Sequence, residues 1–223
     1  MTRRMIAPLA FGVAGVAILI CLGVWQLHRL EWKRAILSGM EARMSAPASD
    51  VPASPAEAEH EYLHVAVAGT LEPGEVHVYT SAPPRGVGYR IIAPLRLGDG
   101  RRVLLDRGFV PIADKEAPRP PERIRVEGAL LWPDETDGWT SPPDLEKNIW
   151  LARDVPAMAA ALGTEPLMIV ASATDDPAGP EPLPVGVNIA NNHLEYAITW
   201  FSLAAVWAVM TGYLLWRIKR RTV

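Results

Sequence analysis

The sequence predicts an α+β membrane protein: two transmembrane helices flank an exterior domain with one short helix and a mainly antiparallel β-sheet that can close towards a barrel. Three observations carry this expectation. Uncharged apolar runs occupy both ends of the chain, at 6–27 and 196–216. Between them, short segments alternate in hydropathy with period two and are separated by turn residues, the pattern of half-buried strands. Charge is divided along the same lines, since the two ends carry only basic residues and every Asp and Glu lies between Arg29 and Glu195.

The second run anchors the argument. At about 1.5 Å per residue it makes a helix of roughly 31 Å, enough to cross a hydrocarbon core of ~30 Å. The first run ends in Trp25-Gln26-Leu27-His28-Arg29, bulky and basic rather than small, so it reads as an uncleaved anchor and not a signal peptide. Two spans put both termini on one side. Arg3 and Arg4 precede the first span, and Arg217, Lys219, Arg220 and Arg221 follow the second, which assigns that side to the cytoplasm. Arg29, Lys33 and Arg34 argue weakly the other way. The expected layout of a bacterial inner membrane protein is therefore a cytoplasmic N-terminus (1–5), a first span (6–27), a periplasmic domain (28–195), a second span (196–216) and a basic cytoplasmic tail (217–223).

Composition excludes several classes. The chain has 22 Lys and Arg against 25 Asp and Glu, and the central segment is net acidic, so no nucleic acid partner is expected. The basic ends suit anionic inner-leaflet lipid. The single Cys21 rules out a disulfide framework and any thiolate metal cluster made by this chain alone.

Taken in order, the first helix should continue beyond the membrane, because Leu30, Ile36, Leu37 and Met40 keep a helical spacing. Trp25 and Trp32 fit an interfacial belt. Residues 45–59 are rich in Ala, Pro and Ser and read as a linker or long surface loop. Period-two alternation starts at Tyr62. Strands at 90–97 and 102–110 flank Gly98-Asp99-Gly100, a hairpin signal, and 124–131 is a strand with Gly128 as a bulge. Asp154 should cap a helix at 155–162 that Gly163 ends, and 167–171 is a last strand.

The chemical motifs are sparse. His60-Glu61-Tyr62-Leu63-His64 matches H-E-x-x-H, but that motif binds zinc only on a helix, and here it runs into β alternation. Residues four apart in a strand lie about 13 Å from each other, too far for one metal. Gly86-Val87-Gly88 lacks the third glycine of a nucleotide loop and reads as a turn. No nucleophile elbow or C-x-x-C is present, so no enzyme is expected. Arg107 in Asp106-Arg107-Gly108 either makes a local ion pair or docks a partner. His193 stands apart, at the outer mouth of the second span with Tyr196, Ala197 and Trp200 on its face. A histidine near the interface is tolerated without function, but imidazole is also a usual axial ligand of haem iron, and the aromatic face suits a flat ligand. His28, at the outer end of the first span, could share that pocket.

Several stretches together resemble the surfeit-locus-one family (Surf-one, with yeast Shy-one a relative). They are Leu22-Gly23-Val24-Trp25-Gln26-Leu27, Gly88-Tyr89-Arg90-Ile91-Ile92-Ala93-Pro94-Leu95, Val103-Leu104-Leu105-Asp106-Arg107-Gly108-Phe109-Val110-Pro111, Asn148-Ile149-Trp150, and Asn191-Asn192-His193-Leu194-Glu195-Tyr196-Ala197 with Thr199-Trp200-Phe201. Phe109 stands where the family usually has Trp, and Ala190 where Pro is common. The resemblance implies a cytochrome oxidase assembly factor that binds haem a through His193; the helix-face reading adds Tyr196 and Trp200, and the topology adds His28, as expected cofactor-binding residues. It implies the oxidase core subunit, haem a synthase and the lipid bilayer as partners. The competing expectation is a membrane scaffold that holds oxidase subunits and binds no haem.

Overall fold

The structure is a computed structural model that describes residues 3–177, 179–186 and 191–222, with the side chains of 3, 4, 221 and 222 left out. Ala190 and Val223, and the side chains of Arg3, Arg4 and Arg221, thus lie outside the described residues. The chain forms two compact units, one from 1–39 with 187–223 and one from 40–186.

The first unit pairs helix α1 (Arg3–Ser45) with the last helix, α4 (His193–Thr222). Both are long and apolar enough to cross a membrane. As expected, α1 runs on well past the apolar stretch. Each helix turns one seam inward, spaced alternately by four and three residues. On α1 it runs through Gly12, Val16, Leu19, Gly23, Gln26 and Leu30, and on α4 through His193, Ala197, Trp200, Ala204, Trp207 and Thr211. That spacing is the seam of a coiled coil. Glycine lets the helices approach, as small residues do between membrane helices. A Cβ on Gly12 would run into Thr211, and one on Gly23 would fall 2.6 Å from the Phe201 ring. Gly23→Leu is therefore expected to cost about 1–3 kcal/mol, seen as a lower denaturation midpoint in detergent. Gly39→Leu, where a Cβ meets open space, should cause no loss.

The central unit is a seven-stranded sheet. Its strands are β1 (His64–Leu71), β2 (Val76–Ser81), β3 (Val87–Leu97), β4 (Arg102–Pro111), β5 (Arg123–Leu131), β6 (Ile149–Trp150) and β7 (Met168–Thr174), in the order β1-β5-β7-β4-β3-β2-β6. Among the described residues, β2–β6 and β4–β7 are the strand pairs that run parallel, so the sheet is mainly antiparallel. Strand β1 also pairs with β3 (Gly69↔Leu97, Leu71↔Leu95), so five strands form a closed circuit of pairings. Residues along β4 and β7 alternate between two cores. Val103, Leu105 and Ile169 join one cluster with Leu95 and Leu130. Leu104, Met168 and Val170 join another with Val155 and Met158 of α3 (Val155–Leu162). Period two thus serves two buried faces.

The local signals hold where they were strong. The Asp154 carboxylate accepts the Ala157 N–H at 3.0 Å, and Gly163 ends α3 at φ 67°, a left-handed conformation that suits glycine. The β3–β4 hairpin closes at Gly98–Gly100, and the β5 register shifts between Glu127 and Gly128. Of the 45–59 stretch, residues 46–56 form the long surface loop that composition allows, fastened to the sheet: Ser49 bridges Val65, Val51 enters the core, and the Arg101 guanidinium donates to the Pro52 carbonyl at 2.8 Å. Two details differ from expectation. Residues 57–60 form a short helix, α2 (Glu57–His60), and alternation begins at His64 rather than Tyr62, whose φ of 65° breaks the strand. Gly88 is not in the turn but in β3, where a Cβ would strike the Val110 carbonyl.

Candidate functional site

His193 is the first residue of α4, and Asn192, just before it, accepts the Tyr196 N–H with its carbonyl at 3.2 Å. Across the seam, Gln26 of α1 is a buried amide, 9% exposed, in an otherwise apolar stretch. The His193 Nδ1–H donates to Gln26 Oε1 at 2.8 Å. A carbonyl oxygen can only accept, so Nδ1 carries the proton. In the neutral ring Nε2 then keeps its lone pair. A hydrogen bond that commits one ring nitrogen and orients the other is how metal-binding imidazoles are usually prepared. The same contact relieves Gln26 of the cost of a buried, unpaired amide.

The neighbours of His193 divide by face. Ala197 is turned to the seam and fully buried, while Tyr196 is 55% exposed on the outer flank. Trp200, seven residues on, is partly buried below the imidazole. The imidazole and Trp200 thus lie along the seam, with Tyr196 beside them on the outer flank. Asn191 Oδ1 is buried with no hydrogen-bond partner among the described residues, a polar atom that a ligand or water could satisfy. An imidazole nitrogen beside aromatic side chains is the donor chemistry that a flat, iron-containing ring uses. His28 does not join them. It is exposed on α1, two residues from Gln26 and so about 200° round the helix, on a different face from the seam.

His64 and His60 are occupied locally. His64 Nδ1 donates to the Ala46 carbonyl at 2.8 Å. His60 lies on α2, its Nδ1 against the Ala56 backbone. Arg107 is buried and donates to Asp176 at 2.6 Å, the local ion pair rather than a docking group. Beside it, Arg90 donates to Asp106 at 2.6 Å and to the Leu183 carbonyl at 3.2 Å. Full burial pushes the Asp106 carboxyl up, against the pull of Arg90 and Arg153. Burial works the same way on Glu75, but hydrogen bonding from His77 and the charges of Arg119 and Arg107 outweigh it and hold that carboxyl below its ordinary value. The Arg107–Asp176 contact ties Asp176 to β4 and the Arg90–Leu183 contact ties Leu183 to β3, while Glu181 bridges Phe109 of β4.

Gln26 is the residue that motif reading misses. Its signal lay in spacing: it is a polar side chain three residues after Gly23, on the face that carries the small residues.

The family model described as the SURF1 family matches residues 13–205. A SURF1-like protein of Monosiga brevicollis is 33% identical over 217 residues, covering 86% of this chain and 82% of that protein. Surfeit locus protein 1 of Homo sapiens is 30% identical over 218 residues (86% and 71%). A SURF1-like protein of the bacterium Rickettsia bellii is 28% identical over 221 residues (92% and 88%).

Proposed function

The chain belongs to the SURF1 family, and from that premise we propose that it is a membrane-bound assembly factor for haem–copper terminal oxidase, which binds haem a at the mouth of α4 and assists its delivery to the oxidase core subunit. Haem a synthase is the donor in this scheme, and the lipid bilayer is the medium. The observation that supports it is the His193–Gln26 hydrogen bond, which leaves Nε2 as a ligand nitrogen. Haem a, when bound, supplies an iron that imidazole ligates axially. Tyr196 and Trp200 offer aromatic surface to the macrocycle. A site at the start of a membrane helix suits a cargo with charged propionates and an apolar ring, since one end can stay in water. The role is carriage rather than turnover, because the sequence brings no nucleophile–base pair.

Absorption spectroscopy tests this directly. Protein purified from cells that make haem a is expected to carry it, with a Soret band that shifts on reduction. Protein that copurifies with oxidase subunits but never with haem would favour the scaffold role instead.

The orientation proposed is that of a bacterial inner membrane protein with both termini cytoplasmic, following the basic residues at 217–221. A reporter active only in the periplasm is expected to give signal when fused after residue 150 and none when fused after residue 223. The reverse pattern would invert the protein.

A further inference from the structure

The loop between β5 and β6 presents a tryptophan to solvent. Trp139 is 93% exposed, although nothing in the loop forces a large aromatic outward. Its backbone is pinned: the Asp137 carboxylate accepts the Trp139 N–H and the Thr140 hydroxyl, each at 2.9 Å, and Thr140 Oγ1 accepts the Asp137 N–H at 2.9 Å. The turn is thus closed by three hydrogen bonds, and the Trp139 and Thr140 contacts hold the Asp137 carboxyl below its ordinary value. Beside the turn lies a recess of about 160 Å³ between 136–143 and 150–154, bordered by Pro142, Pro143 and the half-exposed Leu151. An exposed aromatic on a fixed turn, next to a recess lined by both apolar (Pro142, Pro143, Leu151) and polar (Asp137, Ser141, Asp154) residues, is the kind of feature that anchors protein interfaces.

Charge decides between the two surfaces that could receive it. A tryptophan also suits a lipid interface, but the 133–146 stretch holds Asp134, Glu135, Asp137, Asp144 and Glu146 and no basic residue. Arg153 pairs with Glu135, and Lys147 with Asp144, which leaves the patch net acidic. Anionic lipid headgroups would repel it. We infer that the Trp139 turn and its recess are a docking site for a protein partner whose surface sets Lys or Arg side chains around an apolar pocket. This site is separate from His193, and the inference does not rest on haem binding.

The test uses the full chain in native membranes, with a photoreactive residue in place of Leu151 at the rim of the recess. Irradiation is expected to give a discrete protein adduct whose cross-linked peptide, identified by mass spectrometry, carries Lys or Arg beside apolar residues. Trp139→Ala should lower the adduct yield about tenfold or more, as for an interface anchor. Asp134→Lys with Glu146→Lys should lower it severalfold, and His193→Ala should leave it unchanged. Because Trp139 packs against so little, Trp139→Ala should also keep the wild-type denaturation midpoint, which separates loss of docking from loss of fold. Adducts only with lipid, only with a second copy of this chain, or none at all would overturn the inference. So would a protein adduct indifferent to Trp139→Ala and to charge reversal.

Discussion

His193→Ala is expected to remove bound haem a from the purified protein, with membrane insertion and yield unchanged. The apolar part of α4 starts after position 193, so the span itself does not depend on the imidazole. What is lost is the imidazole that Gln26 orients. Gln26→Ala separates the ligand from its support. The imidazole remains, but its Nδ1–H loses its acceptor and the ring can turn. Loss of such an outer partner typically weakens metal binding 10–100-fold. Gln26→Ala protein should therefore still bind haem when it is supplied in excess, with a lower affinity and an altered spectrum. His28→Ala, on another face of α1, should change neither. Wild-type affinity in His193→Ala would show that another residue holds the iron, and full affinity in Gln26→Ala would show that the seam hydrogen bond is structural only.

The parts of the fold legible in the sequence are those fixed by neighbours along the chain. Asp154 and Gly163 bracket α3 because a cap and a left-handed residue act within one turn, and Gly98-Asp99-Gly100 closes a hairpin for the same reason. The two spans follow from composition alone. Contacts across long separations were not legible. Alternating strands allow a sheet that closes, but that β1 and β3 meet at the Gly69↔Leu97 register is not determined by turn chemistry. The fastening of 45–59 depends on Arg101, about fifty residues away, although its composition resembles a free linker. At the site, helical period puts His193 and Trp200 in line along α4, with Tyr196 turned to the outer flank. His28 was matched to them by depth in the membrane, without regard to its angle on α1. That angle is set by the seam through Gly23 and Gln26, so the residue opposite His193 is Gln26.

The largest loss of stability is expected from Asp106→Ala. The carboxylate is wholly buried, receives Arg90 at 2.6 Å and the Gly108 N–H at 3.2 Å, and lies 3.5 Å from Arg153. Arg153 has a second carboxylate in Glu135, but the other contact of Arg90 is the neutral Leu183 carbonyl. Removing the side chain leaves a largely buried guanidinium without its hydrogen-bonded carboxylate, with only the more distant charge of Glu135 acting on it, and breaking such a buried pair typically costs about 3–5 kcal/mol. That is a large share of the roughly 5–15 kcal/mol that holds a domain folded. Asp106→Asn keeps the volume and an acceptor for Gly108, so it should cost less. Asp99→Ala, which removes a half-exposed partner of Arg101, should cost little, because a solvent-exposed pair is screened. Amide hydrogen exchange of the detergent-solubilised protein measures all three. In Asp106→Ala, protection along β4 and at Glu181 should fall by about two to three orders of magnitude, because Arg90 couples the carboxylate to the 181–183 strap. The α1 and α4 amides should stay protected, since the seam between them uses none of these groups. An Asp106→Ala protein as protected as wild type would mean that the guanidinium finds water or another carboxylate, and that this pair does not hold the strap.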